Sequence, residues 1–196
     1  MKYLLFFLLT VPVYSQNFDP AEIAAHRESI NRIFADPKTS PLREEDRKSF
    51  TALHYFEPDQ RYYITAQFRI TPDTTPFEMK TTTERMPRYR KYGELHFELE
   101  GQKMKLNVYQ NQELMNRKVY EDYLFLPFSD LTNEAETYVG GRYLDFRIPT
   151  GDTVVLDFNL AYNPYCAYNY DYSCPLVPLE NDLPVAIRAG VKKFHD

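Results

Sequence analysis

Tryptophan is absent from this 196-residue chain, cysteine occurs only twice and glycine only six times. Two cysteines are too few for a disulfide-dense scaffold or for a four-thiolate structural zinc site. Six glycines beside 14 prolines leave the turns largely to Pro, Asn and Asp. Basic charge is also scarce: 23 Lys and Arg face 28 Asp and Glu, with no basic cluster. That balance argues against nucleic acid or an anionic membrane as partner. No Gly-x-Ser-x-Gly, His-Glu-x-x-His, P-loop, dinucleotide fingerprint or EF-hand loop occurs, so the common secreted hydrolase signatures are missing.

The opening residues read as an export signal. Lys2 is followed by the apolar run Tyr3-Leu4-Leu5-Phe6-Phe7-Leu8-Leu9, and Val13-Tyr14-Ser15 fits a signal peptidase site. The run is too short for a membrane span, which takes about 20 apolar residues. The expectation is a peptide of residues 1–15 cut after Ser15, no transmembrane anchor, and a periplasmic or extracellular product. Without Lys2, 22 basic side chains remain against the 28 acidic ones.

Aromatic residues are plentiful, with 17 Tyr and 14 Phe, and half-buried rings favour strands. Asp19-Pro20-Ala21-Glu22 is a helix start: an Asp cap, Pro at the first position and Glu at the third. Ile23, Ile30, Ile33 and Phe34 then form one apolar stripe, and Asp36-Pro37 ends it. Ser40-Pro41 repeats the start signal for a shorter second helix. From Tyr62 the period changes to two: Tyr62, Ile64, Ala66, Phe68 and Ile70 point one way. A weaker strand follows around residues 77–83. A two-residue turn at Glu100-Gly101 sets Phe97 opposite Met104, Leu95 opposite Leu106 and Glu98 opposite Lys103. Further strands are expected over 123–128, around 144–148, over 154–160 and at 185–187. The sum is a mainly β, α+β chain of six to eight antiparallel strands, forming a barrel or sandwich. A helical segment over 16–55 precedes the β domain over 56–196.

Three constellations could carry chemistry. Cys166 and Cys174, in an oxidising compartment, are expected to form a disulfide, and Asn169 and Asp171 would turn the loop between them. Two metal thiolates or a free Cys166 nucleophile are the alternatives. The four histidines add no metal-ligand spacing, so no metal and no cofactor are expected. The second constellation lies on the last expected hairpin, where a register pairing Phe146 with Leu156 sets Asp145 against Asp157. Like charges so placed need an arginine, a proton or a cation between them, and Arg142, Arg147 and Asn159 are near in sequence. Such a pair could do general acid/base work on a glycosidic or ester bond, with Arg142 as anion stabiliser. A solvated Asp–Arg network, or a register shifted to pair Tyr143 with Asp157, is the plainer alternative.

The third is Gly140-Gly141-Arg142, either a close-approach site for an anion or simply a tight bend. Asp130, Glu136, Tyr138, Arg142, Asn159, Tyr168 and Glu180, with the tyrosines at 162, 165, 170 and 172, are the candidate lining of a ligand pocket. A tyrosine-rich wall with a few fixed polar groups suits a sugar or another small polar ligand.

Three separated motifs carry a resemblance. They are Glu136-Thr137-Tyr138-x-Gly140-Gly141-Arg142-Tyr143-Leu144-Asp145, then Asp157-Phe158-Asn159-x-Ala161-Tyr162-Asn163-Pro164-x-Cys166-Ala167-Tyr168, then Cys174-Pro175-x-x-Pro178-x-Glu180-Asn181. In this order they resemble the bacterial and archaeal family labelled domain of unknown function 1684. Val177 and Val191 stand where that pattern has Pro and Glu. The family is uncharacterised, so the resemblance implies no reaction and no catalytic residue.

Overall fold

The computed structural model describes residues 17–72 and 74–195. The expected signal peptide and its cut site lie outside these residues. Helix α1 spans Pro20–Ala35, and its Asp19 cap accepts a hydrogen bond from Ala21 N at 2.8 Å. Ile23 and Phe34 of the stripe are buried, whereas Ile33 stays exposed. Helix α2 is shorter than the start signal implied and covers only Glu44–Ser49. Ser40 does not cap it; its hydroxyl accepts from Leu42 N at 3.2 Å and makes a local turn, which competes with helix formation.

Among the described residues seven strands follow: β1 (Tyr63–Ile70), β2 (Phe77–Glu78), β3 (Arg88–Leu99), β4 (Gln102–Asn111), β5 (Tyr123–Phe128), β6 (Arg142–Arg147) and β7 (Thr153–Asp157). They form a single antiparallel sheet in the order β6-β5-β4-β3-β1-β7, with the short β2 on β3. The sheet curls into a half-barrel rather than splitting into a sandwich. The β3–β4 hairpin has the expected register, pairing Phe97 with Met104, Leu95 with Leu106 and Glu98 with Lys103. Its turn residues Glu100 (φ 54°) and Gly101 (φ 76°) are both left-handed, the geometry that matches strand twist in a two-residue hairpin. Among the described residues only Tyr109 and Phe125 pair directly between β4 and β5. Buried Asn181 bridges the adjoining stretch, with its amide donating to Asn107 O (2.9 Å) and Pro127 O (2.6 Å) and its oxygen accepting from Asn107 N (2.8 Å).

The concave face holds the main core, built on Leu95, Leu106, Leu124, Leu126, Phe128, Leu156 and Phe158. Among the described residues the segment expected as a last strand at 185–187 has no strand partner. It runs extended into that core instead, burying Leu183, Val185, Ile187 and Ala189. The convex face carries an aromatic cluster of Tyr89, Tyr109, Phe125 and Tyr143 and, beside it, the seat of α1 around Phe34, Leu53 and Tyr168.

The largest departure from expectation concerns the last hairpin. β6 and β7 do not pair. β6 pairs with β5 and β7 with β1, placing Ile64 rather than Phe146 opposite Leu156, and Tyr63 rather than Asp145 or Tyr143 opposite Asp157. The loop between them holds Pro149, which cannot donate to a ladder, and Asp152, whose carbonyl accepts from Phe68 N at 2.7 Å. The two strands therefore close the sequence gap but form opposite edges of the sheet.

Candidate functional site

The Gly-Gly-Arg turn delivers an arginine into the core. Gly141 has φ +86°, and a Cβ there would lie 2.6 Å from Phe128 O, so only glycine fits the bend. Arg142, on β6, is fully buried. Its guanidinium pairs with Asp130 Oδ2 at 2.8 Å and donates to Ile187 O (2.8 Å), to Val191 O (3.4 Å) and to Ala189 O. Asp130 in turn uses Oδ1 to accept from Thr132 N, Thr132 Oγ1 and Ile187 N. The pair is a knot that fastens the C-terminal segment to β6. Its two terminal nitrogens are spent inside the protein and its Nε is buried without a partner, so full burial leaves no face of Arg142 toward a substrate anion.

Three residues along the same strand, Asp145 has a different setting. It is exposed, and its Oδ1 accepts from Tyr123 Oη at 2.6 Å and from Tyr162 Oη at 2.7 Å. Burial, followed by the Asp145 charge, pushes both phenols well above their ordinary value, so they remain donors. Among the described residues Asp145 Oδ2 has no hydrogen-bond partner.

Asp145 faces a groove of about 840 Å³ that lies between the two open sheet edges and is walled on one side by α1. Asp157 of β7 lines the same groove, as do Asp19, Glu22 and His26 from the helix and Tyr63 from β1. The two aspartates thus meet across a gap rather than as cross-strand neighbours. Asp157 Oδ1 accepts from Asn159 N (2.9 Å) and Asn159 Nδ2 (2.8 Å). Burial raises its carboxyl above the ordinary value, partly offset by those hydrogen bonds and by Arg27 and His26. Partial burial and Arg27 hold the His26 imidazole below its ordinary value, against the pull of both aspartates. Arg27 itself anchors the helix, donating to Phe56 O (2.8 Å) and Asn159 O (3.3 Å) while lying over the Tyr55 ring.

A second cavity, of about 460 Å³, opens on the other side of Asp145. His26, Asp145, Leu160 and Tyr162 line both spaces. Its walls include the tyrosines at 55, 89, 123, 143, 162, 165, 168 and 172, with Phe125 and Leu114. The aromatic packing is edge-to-face: Tyr143 lies 4.7 Å from Phe125 and 5.8 Å from Tyr162 between ring centroids. Tyr170 is not part of it; its ring stacks under the Arg43 guanidinium.

The remaining candidate residues do not converge here. Asn159 and Tyr168 touch the aromatic cavity, but the Asn159 side chain is committed to Asp157 and the Asp59 backbone. Glu136 pairs with Arg188 at 2.9 Å, and Glu180 accepts from Tyr109 Oη at 3.4 Å. Tyr138 lies 3.7 Å from Cys166 Sγ. The expected disulfide is not formed: Cys166 and Cys174 are free thiols, with Cys166 N donating to Cys174 Sγ at 3.2 Å. Hydrogen bonding from the Cys174 thiol, then from Tyr138, lowers Cys166, while the same contact raises Cys174. Among the described residues no three His, Cys, Asp or Glu side chains are arranged to hold a metal ion, and no helix is long and apolar enough to cross a membrane.

His26, Tyr123 and Tyr63 were missed from sequence. His26 had a signal, since helical spacing sets it on the stripe of Ile23 and Ile30, where a polar residue is out of pattern; it stays exposed there and lines both spaces. The tyrosines had none, because their place depends on the curl of the sheet.

The family model described as Protein of unknown function (DUF1684) matches residues 48–192, all of the site but its helical wall. An uncharacterized protein from Haloarcula marismortui, solved by NMR in solution, is 34% identical, with TM-score 0.68 over 88% of this chain and 92% of its own. No curated protein matches.

Proposed function

The chain belongs to the family described as Protein of unknown function (DUF1684), which brings no reaction with it, and we propose from its site alone that it binds a small ligand where the aromatic cavity meets the acidic groove. One observation carries this reading: Asp145, oriented by two phenol donors, lines both spaces and keeps an oxygen without a partner among the described residues. The cavity is of the size that small-molecule sites have, about 300–1,000 Å³, and it combines an apolar wall with few polar groups. A fragment screen read by protein-observed NMR tests it. Hits that shift the Tyr143 and Tyr162 signals are expected; hits that map only to other surfaces would sink the reading.

A second reading, a carboxylate-dependent hydrolase, is favoured by one feature. Asp145 and Asp157 line one groove, and burial raises the Asp157 carboxyl, as suits a general acid. Arg142 has no part in it. Turnover of chromogenic glycosides or esters that is lost in both Asp145→Asn and Asp157→Asn would establish this reading, and turnover indifferent to both would end it.

Export belongs to the same proposal, supported by Lys2, the apolar run and the Val13-Tyr14-Ser15 site. A mature chain starting at Gln16 in the exported fraction is the expected outcome. The disulfide belongs to it as well: a protein disulfide of the export compartment would be reduced as Cys166 and Cys174 give up two protons and two electrons to form their bond, so a thiol count of the exported protein should find none.

A further inference from the structure

We propose that the ligand is a small organic ammonium with an apolar or aromatic body, its cationic head beside Asp145 and its body among the tyrosine rings. The inference deepens the binding reading and rests on it. It begins from the chemistry that the cavity withholds. Tyrosine walls suit sugars through their hydroxyls, but three of the hydroxyls here are taken: Tyr123 and Tyr162 donate to Asp145, and Tyr143 donates to Pro175 O. What the cavity offers is ring surface, and ring faces attract cations.

Charge points the same way. Asp19, Glu22 and Asp157 line the groove that continues from Asp145, so an anionic ligand would meet four carboxylates. The nearby arginines already have partners, Arg27 on the wall of the aromatic cavity itself. Arg147 pairs with Asp122 at 2.6 Å and donates to Val119 O at 2.7 Å, and Arg27 is held by the Phe56 carbonyl and the Tyr55 ring. His26, held below its ordinary value, adds little positive charge at neutral pH. Asp145 is therefore a fixed counter-ion whose partner is not supplied by the neighbouring side chains. Its two phenol donors hold Oδ1, so the carboxylate needs no reorganisation when a cation arrives at Oδ2.

The test titrates the full chain with choline and with its neutral carbon isostere, 3,3-dimethylbutan-1-ol. Benzyltrimethylammonium and benzyl alcohol form a second pair that carries a ring. Each ammonium should bind at least about tenfold tighter than its neutral counterpart, the order of one desolvated cation–π contact with a counter-ion. Shifts should appear at the Tyr143 and Tyr162 rings. Asp145→Asn, which keeps the shape and removes the charge, should bring that ratio close to one. Equal affinities within each pair would overturn the ammonium assignment while leaving the cavity a binding site. An ammonium preference that survives Asp145→Asn would also overturn it. If none of the four probes binds, the assignment falls, and the fragment screen alone decides whether the cavity binds anything.

Discussion

Arg142 and Asp145 stand three residues apart on one strand, and the structure uses their charges in opposite ways. Arg142 enters the core, where Asp130 and three backbone carbonyls surround it. Asp145 stays at the surface with one oxygen held by two phenols and the other unpaired among the described residues. The first arrangement is closed off from solvent, with both terminal nitrogens of the guanidinium bonded and only the buried Nε unpartnered, and it holds the fold together. The second is half-satisfied, and its spare valence is what makes it a candidate for binding. The lesson is that a charged motif residue is judged by the hydrogen bonds it has left, not by its charge.

The comparison can be broken by mutation. Arg142→Met should be the most damaging change, costing about 3–5 kcal/mol in chemical denaturation, because it leaves Asp130 charged in the core. Asp145→Asn should cost less than about 1 kcal/mol in the same assay, as expected of an exposed position. Comparable losses at the two sites would erase the distinction. Between these extremes lies Glu94, which gathers Lys91 (2.6 Å), Lys105 (2.9 Å) and His96 (2.8 Å) on the β3–β4 hairpin. Hydrogen bonds from Lys91 and then Lys105 depress its carboxyl to about 2. A depressed acid stabilises above its ordinary value of 4.5 and loses that contribution as pH falls toward about 2. Glu94→Gln should cost about 1 kcal/mol at pH 7, discounted for exposure of the partners, and much less at pH 2.

The smallest effect, with the opposite sign, is expected at Asp157. Its carboxyl is raised by burial, so its contribution to stability is full below the ordinary value of 3.8 and is lost as pH rises through the raised value. Asp157→Asn keeps acceptor oxygen for Asn159 and should melt slightly higher than the parent at pH 7, with the gain vanishing near pH 3. A variant that melts lower at both pH values would mean that the charge, not its burial, is what the site needs.

Local signals carried most of the elements. Asp19-Pro20 wrote α1, and Glu100-Gly101 wrote the hairpin down to its register, because caps and two-residue turns are decided within a few residues. The motif residues were visible as well, but not their grouping. Alternation in residues 144–148 and 154–158 reads equally well as a hairpin or as two edges, since period two reports only which face is buried. That ambiguity hid the groove. Arg142 looked like a ligand-binding arginine because sequence does not show that the extended segment at 183–191 brings its carbonyls there. The thiols were read from compartment chemistry rather than from distance.

The separation of β6 from β7 also bears on how the protein assembles. The β3–β4 hairpin joins neighbours in sequence and can form early, whereas the rung between Tyr63 and Asp157 joins positions that are most of a domain apart. Such distant rungs bear the larger loop-closure entropy and are completed late. The seam between the two edges is then among the last regions to close during folding and among the first to loosen. An occupant of the groove touches α1, β6 and β7 together, so its dwell time and the lifetime of the closed seam would be governed by one and the same opening.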